Sequence, residues 1–205
     1  MPTAYLPPRR VIAVEASIGV SARSVVEAHL RGGFPGQRVI TQGWQTGAIA
    51  ASNPDVRVLR VDPETRGGLW LHASSGAWNA AGQRVGHEFV LVTPFKTLRA
   101  VELLSMVVYF HGVQPLDIGD TVAIGEPWLP GSQCNALLVS APYLLSDELW
   151  SLHIGGREVR FLWTIPITAA ERAFVGKHGL DALEERFETV GLEYWDPHRE
   201  SVVTP

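Results

Sequence analysis

Cysteine is almost missing from this 205-residue chain, which contains Cys134 alone. One thiol cannot close an internal disulfide, so no bridge frames the fold, and a cytoplasmic location is expected. Long apolar runs are missing too. The longest candidate, LLSMVVYF from Leu103, falls well short of the roughly 20 apolar residues that span a bilayer and reads as the buried side of a helix. At the start of the chain Glu15 interrupts a short apolar run that Pro7 and Pro8 precede, a pattern that suits a signal peptide badly. Lysine is scarce, with two Lys and fifteen Arg scattered among 21 acids and a net charge of −4. Phosphate binding needs a clustered positive surface, so neither nucleic acid nor a membrane is the expected partner, and the Arg9-Arg10 pair reads as solvated. There is no internal repeat, no low-complexity tract, and no Pro/Ser/Gly-rich or charged stretch that divides the chain. A single domain over residues 1–205 is expected.

The chain does have 46% hydrophobic residues, 19% charged residues and seven Trp, the composition of a globular domain with large aromatic surfaces to bury. Ser21 to Leu30 reads as a helix, with Ser21 as cap, Val25, Val26 and Leu30 as its apolar face, and Gly32-Gly33 as its stop. Three runs rich in β-branched and aromatic residues then read as strands: VRVLRV from Val56, LWLHA from Leu69 and HEFVLV from His87. Between the second and third, Ala73 to Gly86 is a long connection that either binds something or crosses the sheet edge. Leu98, Val101, Leu104 and Val108 recur at helical spacing up to Gly112, and short strands are predicted near Thr121–Ile124 and Ala136–Ser140.

The last third is the most legible. Gly155-Gly156 supplies the positive φ angles of a two-residue hairpin turn, which sets Ile154 opposite Arg157. Counting outward places Leu152 opposite Val159, Trp150 opposite Phe161, His153 opposite Glu158 and Ser151 opposite Arg160, giving one apolar and one polar face. Val159, Phe161, Trp163 and Ile165 share a side of the second strand and are expected in the main core. Thr168 and Glu171 have capping-box spacing for a helix over about Ala169–Val175. Leu180, Leu183, Phe187 and Val190 form the apolar stripe of a second helix, with Glu184 and Glu185 turned to water. The pattern as a whole is α+β, a mixed, mainly antiparallel sheet with helices covering one face.

Motifs for chemistry are weak. His87-Glu88 lacks the second His of a zinc-protease helix because position 91 is Leu, and Glu88 reads as a strand-end or loop-anchoring carboxylate. Cys134 enters a strand directly and has no nucleophile signature around it. SSGAW at Ser74 lacks the flanking glycines of a nucleophile elbow, and no Gly-rich phosphate loop occurs. No metal is expected, since the histidines are dispersed. Two aromatic loops are better recognition candidates. Trp78 sits in SSGAWNAAG, and Trp128 lies between Pro127 and Leu129 in GEPWLPGS.

The run FLWTIPITAAERAFVGKHGLDAL resembles the end of the suppressor-of-fused domain, and GHEFVLVTP, LRAVELLSMVVYFH and IGEPWLPGSQCNALLVSAP resemble its upstream segments in order. The resemblance covers roughly Trp44 to Val190. It implies the same α+β architecture and a non-enzymatic protein-interaction domain without a cofactor. Bacterial members of this family resemble immunity proteins, which would make a cognate toxin the protein partner and Trp78, Trp128 and Glu88 candidate contacts. The residues leave two alternatives open: a hydrolase using Glu88 and a spatially adjacent His, or a small-molecule-binding protein.

Overall fold

The computed structural model describes residues 13–14, 22–52, 54–79, 85–143 and 145–203. The Ser21 cap, the Arg9-Arg10 pair, Glu15 with the apolar run on either side of it except Ala13–Val14, and residues 80–84 of the Trp78 connection lie outside them. In chain order the elements are β1 (Ala13–Val14), α1 (Ala22–Gly33), β2 (Val39–Gln42), α2 (Gly47–Ser52), β3 (Arg57–Val61), β4 (Trp70–Ser75), a 3-10 turn (Ala77–Asn79) and β5 (Val85–Thr93). Then follow α3 (Arg99–Val113), β6 (Thr121–Ala123), β7 (Cys134–Ser140), α4 (Asp147–Trp150), β8 (Ser151–Ile154), β9 (Arg157–Thr168), α5 (Ala169–His178) and α6 (Leu180–Val190).

Among the described residues, nine strands join one sheet in the order β1-β8-β9-β5-β4-β3-β2, with β6 paired to β7 and β7 to β9. Only β1 with β8 and β5 with β9 run parallel, so the sheet is mixed and mainly antiparallel. β9 is its axis. One edge pairs with β5 over Glu158–Trp163, while the other takes β8 over Arg157–Arg160 and then β7 over Trp163–Thr168.

The hairpin has the register counted from its turn, with φ of 56° at Gly155 and 79° at Gly156. Trp150 is the exception. Its N–H and that of Leu149 both donate to the Ser146 carbonyl (3.1 and 2.9 Å), closing the turn of α4, so Trp150 is not a strand residue opposite Phe161. Gly33 admits this turn, because a Cβ there would lie 2.1 Å from Leu149 Cδ2.

Helices cover both faces of the sheet rather than one. Phe89, Leu91 and Leu162 pack under α3 with Val101, Leu104 and Val108. Their neighbours along the same strands, Val90 and Phe161, pack under α1 with Val26 and Leu30, while Val92 and Trp163 pack under α5 and α6 with Val175, Leu183 and Phe187. Successive strand side chains point to opposite faces, so a strand apolar on both sides needs a cover on each. That is why the residues from Phe161 to Thr168 are all buried. The α6 stripe is shorter than the spacing predicts. Val190 is 59% exposed, and Glu184 accepts a hydrogen bond from Ser140 Oγ (2.6 Å) instead of facing only water.

Trp163 is fully enclosed and meets Tyr194 edge to face at 4.9 Å. Trp163→Ala is expected to cost about 3–5 kcal/mol in denaturant melts. A loss below about 1 kcal/mol would show that the ring is not a core filler.

Candidate functional site

Glu88 is a fully buried carboxylate held by four hydrogen bonds. β4 and β5 stay paired up to Ala73 opposite Val90 and then separate, which opens a gap that the Glu88 side chain enters. There its Oε1 accepts from the backbone N–H groups of Gly76 (2.7 Å) and Trp78 (3.4 Å). Its Oε2 accepts from Ala77 N–H (3.3 Å) and from the Ser74 hydroxyl. Ser74 Oγ in turn accepts from Phe89 N–H at 2.8 Å. The carboxylate thereby satisfies donors at the start of the 3-10 turn, where no backbone acceptor is available. Gly86 completes the arrangement, since a Cβ there would lie 2.7 Å from Trp78 O. The Gly86-x-Glu88 pattern therefore has a local physical cause. The glycine lets the turn approach β5, and the glutamate holds it there.

Glu88 has no exposed surface, and burial pushes its carboxyl up to about 7 against the opposing pull of Ser74 and the three amides. It is a loop anchor, positioned mid-strand rather than at a strand end. The pairing needed for a hydrolase is not assembled. His87 points to the opposite face, where its Nδ1 donates to Leu116 O (3.0 Å), and no histidine bonds Glu88 among the described residues. Cys134 is buried, and burial raises its thiol pKa.

The two tryptophans part company. Trp128 is 0% exposed in the core under α3, and its backbone N–H donates to Cys134 O at 2.9 Å, so a partner finds no Trp128 surface to touch. The flanking prolines hold a core plug rather than a surface anchor. Glu88 is withdrawn from any contact in the same way. Trp78 is half-buried against the α1 core, and the Arg157 guanidinium sits 5.5 Å from its ring centre.

Two features escape sequence reasoning. The first is a buried ion pair. Arg199 places its fork on Glu171 (2.8 and 2.7 Å) and also donates to Pro166 O (2.8 Å), tying the C-terminal segment to the end of β9 and the start of α5. Burial alone raises the Glu171 carboxyl pKa, but Arg199, Thr168 N–H and Val202 N–H together hold it below the usual range. The second is the outer edge of β6. Val139 N–H bonds Asp120 O (2.8 Å) and Ile124 N–H bonds Asn135 O (2.9 Å), so the alternation of an antiparallel pair turns Thr121 and Ala123 outward. No other strand meets them among the described residues. Beside this edge runs a groove of about 630 Å³, floored by Ala169, Ala173 and Gly176 and bordered by Arg172, whose Nε donates to Thr121 Oγ1 (3.2 Å). A more apolar cavity of about 740 Å³ lies between α1 and α4, beside His29 and Leu149.

The sequence profile of the family described as Suppressor of fused protein (SUFU) matches residues 52–200. The chain belongs to the SUFU family. A SUFU homolog from Neisseria gonorrhoeae FA 1090 is 33% identical, superimposes with a TM-score of 0.78, and is covered over 97% of its length by 89% of this chain. The Sufu-Fu complex (11% identity, TM-score 0.65, 88% of this chain and 91% of that one) shares the fold. So does Drosophila Suppressor of Fused, at 12% identity and TM-score 0.62 over 87% of this chain and 50% of that one. The immunity protein YqcF of Bacillus subtilis (strain 168) is 34% identical over 62 residues, which are 30% of this chain and 32% of that protein. The match thus spans about a third of that curated relative. Among the described residues of this SUFU member, no helix is long and apolar enough to cross a membrane.

Glu88→Ala is expected to destabilise by about 2–4 kcal/mol, because it strands buried amide donors. Glu88→Gln should cost less and change the pH dependence. With a folded pKa near 7 and an unfolded value near 4.5, the native state holds the extra proton between those limits. The contribution of Glu88 is therefore fully present below about pH 4.5 and is lost as pH rises through 7. Relative to wild type, the Gln variant should gain stability from pH 5 to 8; parallel stability curves would contradict this.

Proposed function

We propose that this SUFU-family chain is a non-enzymatic, cytoplasmic protein-binding domain that neutralises a toxin by capturing an extended segment of it along β6. The observation that carries the reading is the β6 edge beside the Arg172 groove, which no other strand meets among the described residues. An extended chain recognises such an edge through main-chain hydrogen bonds, while alternate side chains enter the pockets alongside. Here the outward N–H and C=O groups of Thr121 and Ala123 set the register. The small residues of α5 leave room for a side chain, and Arg172 supplies the charge for an acidic one. Family membership and the stretch shared with an immunity protein support a protein partner, and a Sufu protein is known in a complex with Fu. Trp78 is a second contact in this proposal, since the residue is only half-buried.

The test is co-expression with toxins encoded beside the gene, scored by growth rescue and complex formation. Ala123→Pro removes an outward N–H that β7 does not use, so folding should survive while binding weakens at least ~10-fold. Arg172→Glu should weaken binding further if the partner segment is acidic, and Trp78→Ala reports on the second contact. Unchanged binding in both β6-side variants would reject the edge, and failure of every neighbouring product to bind would reject the protein-binding reading itself.

A further inference from the structure

The loop between α3 and β6 is held by two buried histidines that take no part in the Arg172 groove. His87 on β5 and His111 near the end of α3 are 3% and 1% exposed, and their ring centres lie 5.7 Å apart. Leu116 of the loop sits between them. Its carbonyl accepts from His87 Nδ1 (3.0 Å), and its N–H donates to His111 Nδ1 (3.0 Å). These bonds fix the tautomers, with the proton of His87 on Nδ1 and that of His111 on Nε2. The bond from Leu116 to His111 has only one direction, because a backbone N–H cannot accept. A second proton on His111 would set two donors against each other.

We propose that His87, Leu116 and His111 form an acid-released latch that fixes the approach of the loop to β6. The groups facing His111 are His87 and the Phe89 ring edge from β5, and Leu116 and Asp117 from the loop. Of these Asp117 favours a cation and the Leu116 backbone pulls more weakly the same way, and burial and His87 outweigh both. Beyond the latch, Gly119 N–H bonds Val139 O and Val139 N–H bonds Asp120 O, both at 2.8 Å, so the position of Leu116 decides where β6 begins beside β7. Burial first, and the neighbouring His87 second, lower the His111 pKa to about 4 from an ordinary 6.5. A histidine lowered in this way gives the closed latch its full stability above about pH 6.5 and withdraws it as pH falls toward 4. If the freed ring titrates normally, the open population grows by about 20-fold between pH 7 and pH 5. The Glu88 anchor behaves differently, since its bond to Ser74 is able to reverse when the carboxyl takes a proton.

The consequence for partner capture rests on the β6 reading, but the latch is measured without a partner. Amide exchange on the full chain at pH 7 and pH 5, corrected for intrinsic rates, should show protection at Leu116, Gly119 and Val139 falling by about 20-fold more than at the central strand β5. In His111→Asn, whose Oδ1 accepts from Leu116 without titrating, that excess should vanish. It should persist in His72→Gln, which removes the other buried histidine held near pKa 4. Should His111→Asn fail to fold, the wild-type His111 ring and the Leu116 amide should titrate together by NMR. No excess loss at the loop, an equal loss in folded His111→Asn, or separate titration of ring and amide would overturn the latch and leave the β6 edge standing. A confirmed latch with no partner bound at β6 would do the reverse.

Discussion

The parallel pairing of β5 with β9 is the constraint on which the rest of the fold depends. It registers Val85 to Val90 against Glu158 to Trp163. Parallel neighbours cannot be joined by a tight turn, so everything between them must form the crossover: α3, β6, β7, α4 and β8. α3 passes over one face and buries Phe89, Leu91 and Leu162. β7 and β8 then return to share the remaining edge of β9, end to end. A strand enclosed in this way is apolar on both sides, which is why FLWTIPIT has no polar alternation although it is a strand.

That same property marks how far the sequence is legible. Hairpin register, the capping box and the α6 stripe follow from neighbours in the chain, where spacing alone decides contact. Thr168 and Glu171 do exchange both capping bonds (3.2 and 2.8 Å). Arg199 was invisible because the carboxylate it holds lies 28 residues away and nothing in WDPHRES announces an ion pair. Trp128 misled for the opposite reason, since a proline-flanked tryptophan looks like a loop anchor whether its ring faces out or in. Helices on both faces were likewise hidden, because α1 and α5 carry no signal of which side of the sheet they take. The β6 edge leaves no mark in the sequence, because three residues give no periodicity and an unpaired edge is a property of the whole sheet.

Glu88 and Glu171 show why burial alone does not decide a charge. Both carboxylates are fully enclosed. Glu88 meets only amides and a hydroxyl, whose dipoles do not offset desolvation, and its pKa rises. Glu171 receives comparable backbone donors together with a bidentate guanidinium, and its pKa falls. The two therefore respond to acid in opposite ways. Below about pH 4.5 the Glu171–Arg199 tie, which joins β9, α5 and the C-terminal segment, is the one that weakens, while the turn beside Trp78 keeps its anchor.

Unpaired strands invite unwanted pairing, and this sheet treats its edges unequally. On the outer side of β2, Arg31 of α1 donates to Val39 O (2.8 Å) and Thr41 Oγ1 (3.0 Å), occupying a carbonyl that another strand would need. At β6 the nearest cation, Arg172, bonds the Thr121 side chain and leaves the main chain free. The three-residue length of β6 limits the hazard, because only Thr121 and Ala123 face outward. It also limits what strand addition supplies at this edge. Two residues of main chain are enough to fix the register and direction of an incoming segment but contribute little affinity, so in the proposed complex selectivity belongs to the side chains that enter the groove under α5. In that proposed complex the short edge and the groove would divide the two tasks of recognition, and β6 would do so without presenting the long, flat strand that would aggregate.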